Sequence, residues 1–342
     1  MKHCLLSVSS KVPSVNIGDF IQALASSQFL PSVDGFIDRE ALKDYQGDEC
    51  KMIMNGWYMH HPVQWPPSPK IHPLFVAMHI NLLAKDRMLM DDSIAYLKQH
   101  EPIGCRDLGT RDMLLAHGVE AYFSGCMTLT LGYKYKHEGK REGVYFVDPV
   151  VHLTNRWEKI VWLLRSLLHL PQVWRISRKY HREGHSRLYG LAFASKFFHL
   201  YRRYFTEETL LSATYIGQQS TTYLNDYPSD EERLQCAEDL VRRYAKAQLV
   251  VTSRIHCALP CLGIETPVLY LYDDHQPPVS SCRMDGLLPL FNLIHVSDTT
   301  LYSSDIDLTK RIDANTPLAN KTTWRPLAAA LIDRCRGFIE KE

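Results

Sequence analysis

The segment Ser253-Arg254-Ile255-His256 sets an arginine and a histidine two residues apart, where the apolar run QLVVTS ends and a segment with small residues begins. Arginine offers a planar fork of donors to a carboxylate or phosphate, and histidine exchanges a proton near neutral pH. Together with Ser253 they form the strongest candidate for chemistry on an anionic substrate. In Asn16-Ile17-Gly18-Asp19 an amide, a permissive glycine and a carboxylate stand at a helix start, where free backbone N–H groups can meet an anion. Capping of that helix by Asp19 is an equally good reading. A third group, Arg106 and Arg111, lies near another helix start, where cations are unfavourable unless something negative compensates them. That compensation is either a bound phosphate or carboxylate, or a salt bridge to Asp107 or Asp112.

Weaker candidates lie elsewhere. His60-His61 belongs to the proline-rich stretch HHPVQWPPSPKIHP, which reads as a surface or cleft loop able to touch an acceptor. Cys257 and Cys261, one helical turn apart, read as buried thiols. No Walker loop, G-x-G-x-x-G, C-x-x-C pair or H-E-x-x-H is present, so neither a metal nor a tightly bound cofactor is expected.

The elements that must position these residues alternate between strand and helix. Cys4 to Val8 reads as a strand before the helical pattern of Phe20, Ile21, Leu24 and Ala25. Ile103 to Asp107 precedes the helix-like LGTRDMLLAHG and then VEAYFSG, and GVYFVDP adds a strand stopped by proline. After Ala213 the grammar resumes with ATYIG, the amphipathic EERLQCAEDLVRRYAKA, QLVVTS, a short helix stopped at Gly263, and PVLYLY. WRPLAAALIDRCRGFIEK closes as a helix with Pro326 in its first turn. Such alternation predicts an α/β fold with parallel sheets covered on both faces. The expected divisions are residues 1–150, a helical insertion 151–210 rich in Arg, Lys and aromatics, residues 211–318, and a C-terminal helix 319–342. That insertion reads either as linker helices with a packed aromatic face or as a peripheral contact with anionic lipid or a lipid-linked diphosphate.

A chain of 342 residues, 45% hydrophobic and 23% charged, suits two globular domains. Its formal charge of +1 gives no reason to expect nucleic acid, so any anion site is local. Nine scattered cysteines and no signal-like or membrane-length apolar run point to a reducing, cytoplasmic setting.

The ordered motifs N-x-G-D, R-D-x-x-T-R-D with the following G-V and S-G-C, and S-R-I-H-C-A-L-P-C-L-G-I-E-T-P-V resemble the polysaccharide pyruvyltransferase family. The resemblance covers most of the chain outside the aromatic-basic segment. It implies two Rossmann-like domains facing a cleft in a GT-B-like arrangement. It also implies phosphoenolpyruvate as donor, a sugar hydroxyl pair as acceptor and a cyclic pyruvate ketal as product. By position, Arg254 and His256 match the signature arginine and histidine, Asn16, Gly18 and Asp19 the N-terminal turn, and Arg106 the mid-chain arginine. Arg283, in SSCRMDGLLPLF, sits where relatives offer a basic residue. The implied roles are proton transfer by His256, donor binding by Arg254 with Arg106 or Arg283, and orientation or deprotonation of an acceptor hydroxyl by Asp19. A lipid-linked acceptor would place the protein peripherally at the inner face of a membrane. Two alternatives stay open. One is a nucleotide-sugar glycosyltransferase, for which Asp273-Asp274 is the best ribose-binding pair available; the other is a catalytically silent member that binds a partner in polysaccharide assembly.

Overall fold

The computed structural model describes residues 1–8, 14–180, 186–277 and 282–341. Its first half runs β1 (Lys2–Ser7), α1 (Gly18–Ser27), β2 (Gly35–Asp38), β3 (Cys50–Tyr58), β4 (Ile71–Ile80), α2 (Lys85–Met88), α3 (Asp91–Lys98), β5 (Ile103–Cys105), α4 (Leu108–Ala116), β6 (Ala121–Phe123) and α5 (Gly132–Tyr135). These strands make a six-stranded sheet, ordered β2-β1-β3-β4-β5-β6, in which every pairing is parallel. The second half runs β7 (Val144–Val147), α6 (Arg156–Arg165), α7 (Leu170–Lys179), α8 (Arg187–Tyr201), α9 (Glu207–Ser212), β8 (Thr214–Ile216), α10 (Thr222–Asn225), α11 (Asp230–Lys246), β9 (Leu249–Thr252), α12 (Ile255–Gly263), β10 (Val268–Asp273), β11 (Asn292–Val296), β12 (Leu301–Tyr302) and α13 (Arg325–Glu340). Its six-stranded sheet, ordered β12-β11-β10-β9-β7-β8, is parallel except at the β11/β12 pair.

Counted from its own first strand, each sheet has the order 2-1-3-4-5-6. The α/β class therefore holds, but the order is the flavodoxin-like one and not the 3-2-1-4-5-6 of dinucleotide-binding Rossmann domains. Chain direction across such a sheet reverses between its first and third strands, and ligands bind at the carboxyl ends beside that switch point. The topology alone thus nominates the loops after β1 and β3 in one half and after β7 and β9 in the other.

Two expectations change. The strand GVYFVDP, read within residues 1–150, is β7 of the second sheet, between β9 and β8. The aromatic-basic segment is the crossover from β7 to β8, so it joins two strands of one sheet and does not link the halves. Its aromatic face is packed: on α8, Phe197 and Tyr201 meet Phe146 of β7 at ring distances of 5.4 and 6.1 Å.

The halves share a core. From Gly18 to Ser26 every residue of α1 except Asp19 is buried, and Phe20, Ile21 and Leu24 pack with Leu240, Val241 and Tyr244 of α11 and with Leu259 and Leu262 of α12. All of α12 is buried, as its apolar sequence demands. The packed surface of α13 faces the 3-10 turn Met127–Thr130 and β4, so the last helix returns to the first half. Backbone approach at the junction is close: a Cβ on Gly132 would lie 2.1 Å from the Gly263 carbonyl oxygen.

Gly132→Ala is therefore expected to destabilise the protein by about 1–3 kcal/mol, the usual cost of overpacking a tight core. In contrast, Gly337→Ala in α13, where a Cβ meets nothing within 4 Å, should stabilise by about 0.5–1 kcal/mol. Calorimetric melting of both variants checks this, and shifts of the same sign would contradict the junction described.

Candidate active site

A cavity of about 770 Å³ opens where the topology nominates it, at the carboxyl ends of strands from both sheets. Asn16 and Asp19 line it after β1, Trp57 and His60 at the end of β3, and Arg106 after β5. From the other half come Asp148 to His152 after β7, Ser253 to His256 after β9, and Asp273 and Arg283 after β10. The structure thus gathers seven of the sequence candidates: Asn16, Asp19, Arg106, Ser253, Arg254, His256 and Arg283. Gly18 lies directly beneath. Arg111 is not among them; it pairs with Asp112 at 2.7 Å on α4, away from the cavity lining.

The loop after β1 is stitched to the other half by main-chain bonds from Ile17 N–H to the Gln218 carbonyl (3.1 Å) and from Ser220 N–H to the Val15 carbonyl (3.0 Å). The Asn16 side-chain oxygen accepts from Gly18 N–H at 3.1 Å, so Asn16 satisfies the first turn and Asp19 does not cap it. The Asp19 carboxylate instead accepts from the Ser14 hydroxyl at 2.7 Å and faces the cavity. Glycine at position 18 has a steric reason: a Cβ there would lie 2.9 Å from the Cβ of His256.

His256 owes its position to a broken helix. Pro260 has no N–H to offer the carbonyl four residues earlier, and the backbone at His256 departs from helical values (φ −83°, ψ 17°). The carbonyl left free by Pro260 accepts from the Gln218 amide at 3.2 Å. The imidazole is buried, and its Nε2 has no hydrogen-bond partner. Burial, with the positive charges of Arg106 and Arg283, holds its pKa well below the ordinary histidine value. The ring is therefore neutral in the free protein at neutral pH.

Three arginines surround it unequally. Arg254 donates to the Asp148 carboxylate at 2.8 Å and to the Gln219 side chain at 2.9 Å. Asp148, in a left-handed conformation (φ 44°), also accepts from Gln218 N–H and the Tyr180 hydroxyl, both at 3.0 Å, so it is a fixed anchor. Ser253 donates to the Asp148 carbonyl at 2.6 Å and ties β9 to the end of β7. Arg106 and Arg283 differ: among the described residues neither has an ion pair, and the Nε of each is buried without a partner. Asp107, the nearest acid in sequence to Arg106, is committed elsewhere, bonding His79 at 2.6 Å and capping α4 through Thr110 N–H at 2.8 Å. Burial and then the Arg106 charge lower the pKa of Arg283. Guanidinium groups without acidic partners facing a cavity can receive an anion, with donors suited to carboxylate and phosphate.

Opposite sides of the cavity carry the weaker candidates His60 and Asp273 together with groups that the sequence reading did not single out. Arg39 lies 4.8 Å over the Trp57 ring, and His60 packs 4.5 Å from that ring, an amphipathic platform. At the other rim, His152, His275 and Asp298 offer ligand atoms within 4.8 Å of one another and could hold a divalent cation. The Asp273-Asp274 pair is divided: Asp273 lines the cavity, while Asp274 is bound by His295 and the Tyr302 hydroxyl, both at 2.9 Å. Asp148 was legible in principle, as a carboxylate between a buried strand and a proline.

With this geometry in hand, comparison with known families is decisive for class. The family model described as polysaccharide pyruvyl transferase matches residues 16–275, from the Asn16 turn through α12 and β10 and across the aromatic-basic crossover. The chain belongs to the polysaccharide pyruvyl transferase family, a family of transferases. No curated protein and no solved structure matches it. Arg283 lies beyond the matched segment, and the geometry brings it to the same cavity.

The depressed pKa of His256 fixes the sign of a pH effect. An unfolded histidine takes up a proton as pH falls below about 6.5, and the folded one does not, so acid favours the unfolded state by up to about 1.4 kcal/mol per pH unit. Urea unfolding across pH should show wild type losing stability below that point relative to His256→Asn. Parallel curves would refute the assignment.

Proposed function

We propose that the chain transfers the pyruvyl group of phosphoenolpyruvate to a pair of sugar hydroxyls, forming a cyclic ketal and releasing phosphate. The observation that carries this reading is the pair of arginines without acidic partners, Arg106 buried and Arg283 partly so, beside a buried neutral histidine. The donor has two anionic groups, a carboxylate and a phosphate, and of the four arginines that line the cavity, Arg106, Arg254 and Arg283 surround His256 and can receive them. Arg254, already aligned by Asp148, holds one group; Arg106 and Arg283 hold the other and offset the charge of the leaving phosphate.

Anion binding also changes His256. Negative charge placed among the arginines cancels their effect on the ring and raises its pKa, so the imidazole gains a proton as the donor binds. His256 then protonates the methylene carbon, making C2 electrophilic. One acceptor hydroxyl adds to C2 and gives up its proton; the C2–O bond to phosphate breaks, and the second hydroxyl closes the ring with loss of its own proton. Of the two protons released, one restores His256 and the other leaves with phosphate. Asp19, free of a capping role, orients or deprotonates the first hydroxyl, and Trp57 with His60 offers the acceptor sugar a stacking surface. The reading carries with it a GT-B-like arrangement of two domains about the cavity, a cytoplasmic location and a lipid-linked acceptor.

The test is thermal unfolding with phosphoenolpyruvate and with a panel of nucleotide sugars. Phosphoenolpyruvate at a hundred times its dissociation constant should stabilise by about 2.7 kcal/mol, and nucleotide sugars should not. Arg283→Met should raise the melting temperature of the free protein, by removing an unpaired buried charge, and weaken the phosphoenolpyruvate shift. Stabilisation by nucleotide sugars alone would assign glycosyl transfer; no shift with any ligand would assign a silent binding protein.

A further inference from the structure

The crossover helices carry apolar surface that the fold leaves uncovered. Among the described residues, nine of the seventeen exposed large apolar side chains lie between Trp157 and Leu188. On α6, Trp157, Ile160, Val161 and Leu164 follow the spacing of one helical face and form a stripe. The stripe continues through Leu167 and Leu168 in the 3-10 turn Ser166–His169 and reaches Trp174 on α7. Other positions of the same segment, Trp162, Val173 and Ile176, are buried against the protein. These helices are thus apolar on two sides, one turned inward and one to solvent. A contiguous exposed apolar patch of this kind marks an interaction surface.

Charge selects the partner. Arg156, Arg165, Arg175 and Arg178 stand exposed on the same two helices, and the acid of α6, Glu158, is paired with Lys196. Arg178 lies 4.7 Å over the exposed ring of Trp174, which keeps its charged end beside the apolar stripe, and the exposed Arg165 lies 4.8 Å over Trp162. A second copy of the chain docked face to face would bring these like charges together. An anionic lipid surface accepts both parts, with acyl chains for the stripe and headgroups for the arginines. No helix among the described residues is long and apolar enough to cross a membrane, so the contact is one of lying on the surface.

We propose that α6, the Ser166–His169 turn and α7 form a docking face for an anionic lipid bilayer. This face is joined directly to the cavity. Val150, Val151 and His152 line the cavity, and α6 begins at Arg156, a step of four residues that spans at most about 14 Å. Docking therefore holds the cavity near the headgroups, where a lipid-linked sugar would present its hydroxyls. That last step rests on the acceptor proposed above; the docking does not.

The test is flotation of the full chain with phosphatidylcholine vesicles, with and without phosphatidylserine. Binding is expected only with phosphatidylserine, weakening as salt rises, and lost in the double variant Leu164→Glu/Leu168→Glu. Arg175→Ala/Arg178→Ala should weaken it roughly thirty-fold. All four positions are exposed, so circular dichroism and the phosphoenolpyruvate-induced thermal shift should match wild type in both variants, which separates loss of docking from loss of fold or donor binding. Absence of wild-type flotation, or unchanged flotation in both variants, would overturn the proposal. A wild-type dimer that Leu164→Glu/Leu168→Glu splits, without vesicle binding, would also overturn it and assign the face to a second copy.

Discussion

Positive charge without an acidic partner at the wall of the cavity is the constraint on which the rest of the site depends. Arg106 is almost fully buried and Arg283 largely so, yet no acidic side chain among the described residues answers either. Burying a charge without a partner costs several kcal/mol, so such a pair facing a cavity is a candidate site for an anion. The neighbouring acids are visibly diverted: Asp107 to His79 and the start of α4, Asp148 to Arg254. Even His79, hydrogen-bonded to Asp107, is held below the ordinary histidine pKa by burial and then by Arg106. Burial first, and then the charges of Arg106 and Arg283, keep His256 neutral in the free protein, and in the proposed reaction an anion bound among these arginines would favour its protonation.

The architecture supplies this arrangement by repetition. Two sheets with one strand order present their switch points to a shared cavity, and the loop after β1 is bonded by its main chain to the loop after β8. Gly18 and Pro260 then set the detail, the first by letting α1 approach the imidazole, the second by breaking α12 at His256 and freeing a carbonyl for Gln218. Neither half holds a complete site alone.

Much of this was legible in the sequence because strand-end loops carry distinctive residues. The Asn16 turn, Arg106 and the Ser253 to His256 segment could be located from local pattern, and their convergence follows from parallel topology. Other parts had no local signal. The long strands β3 and β4, buried in mid-sheet, lack alternation, and Gly56 and Pro73 within them read as loop punctuation. Trp57 and Arg39 were thereby lost as a cavity wall, while His60, read as part of a cleft loop, does line it. The assignment of GVYFVDP to the first half failed because nothing local tells a strand which sheet it will join. Of the two readings open for Arg111, the structure shows the salt bridge to Asp112: Arg106 lies in the loop before α4 and Arg111 on the helix itself, and the two need not face the same way.

The central claim is that anion binding charges His256. Calorimetric titration of phosphoenolpyruvate near neutral pH, in buffers of different ionisation enthalpy, measures the protons taken up on binding. The account predicts greater proton uptake by wild type than by His256→Asn, with both proteins still binding the donor. Equal uptake in the two would contradict it.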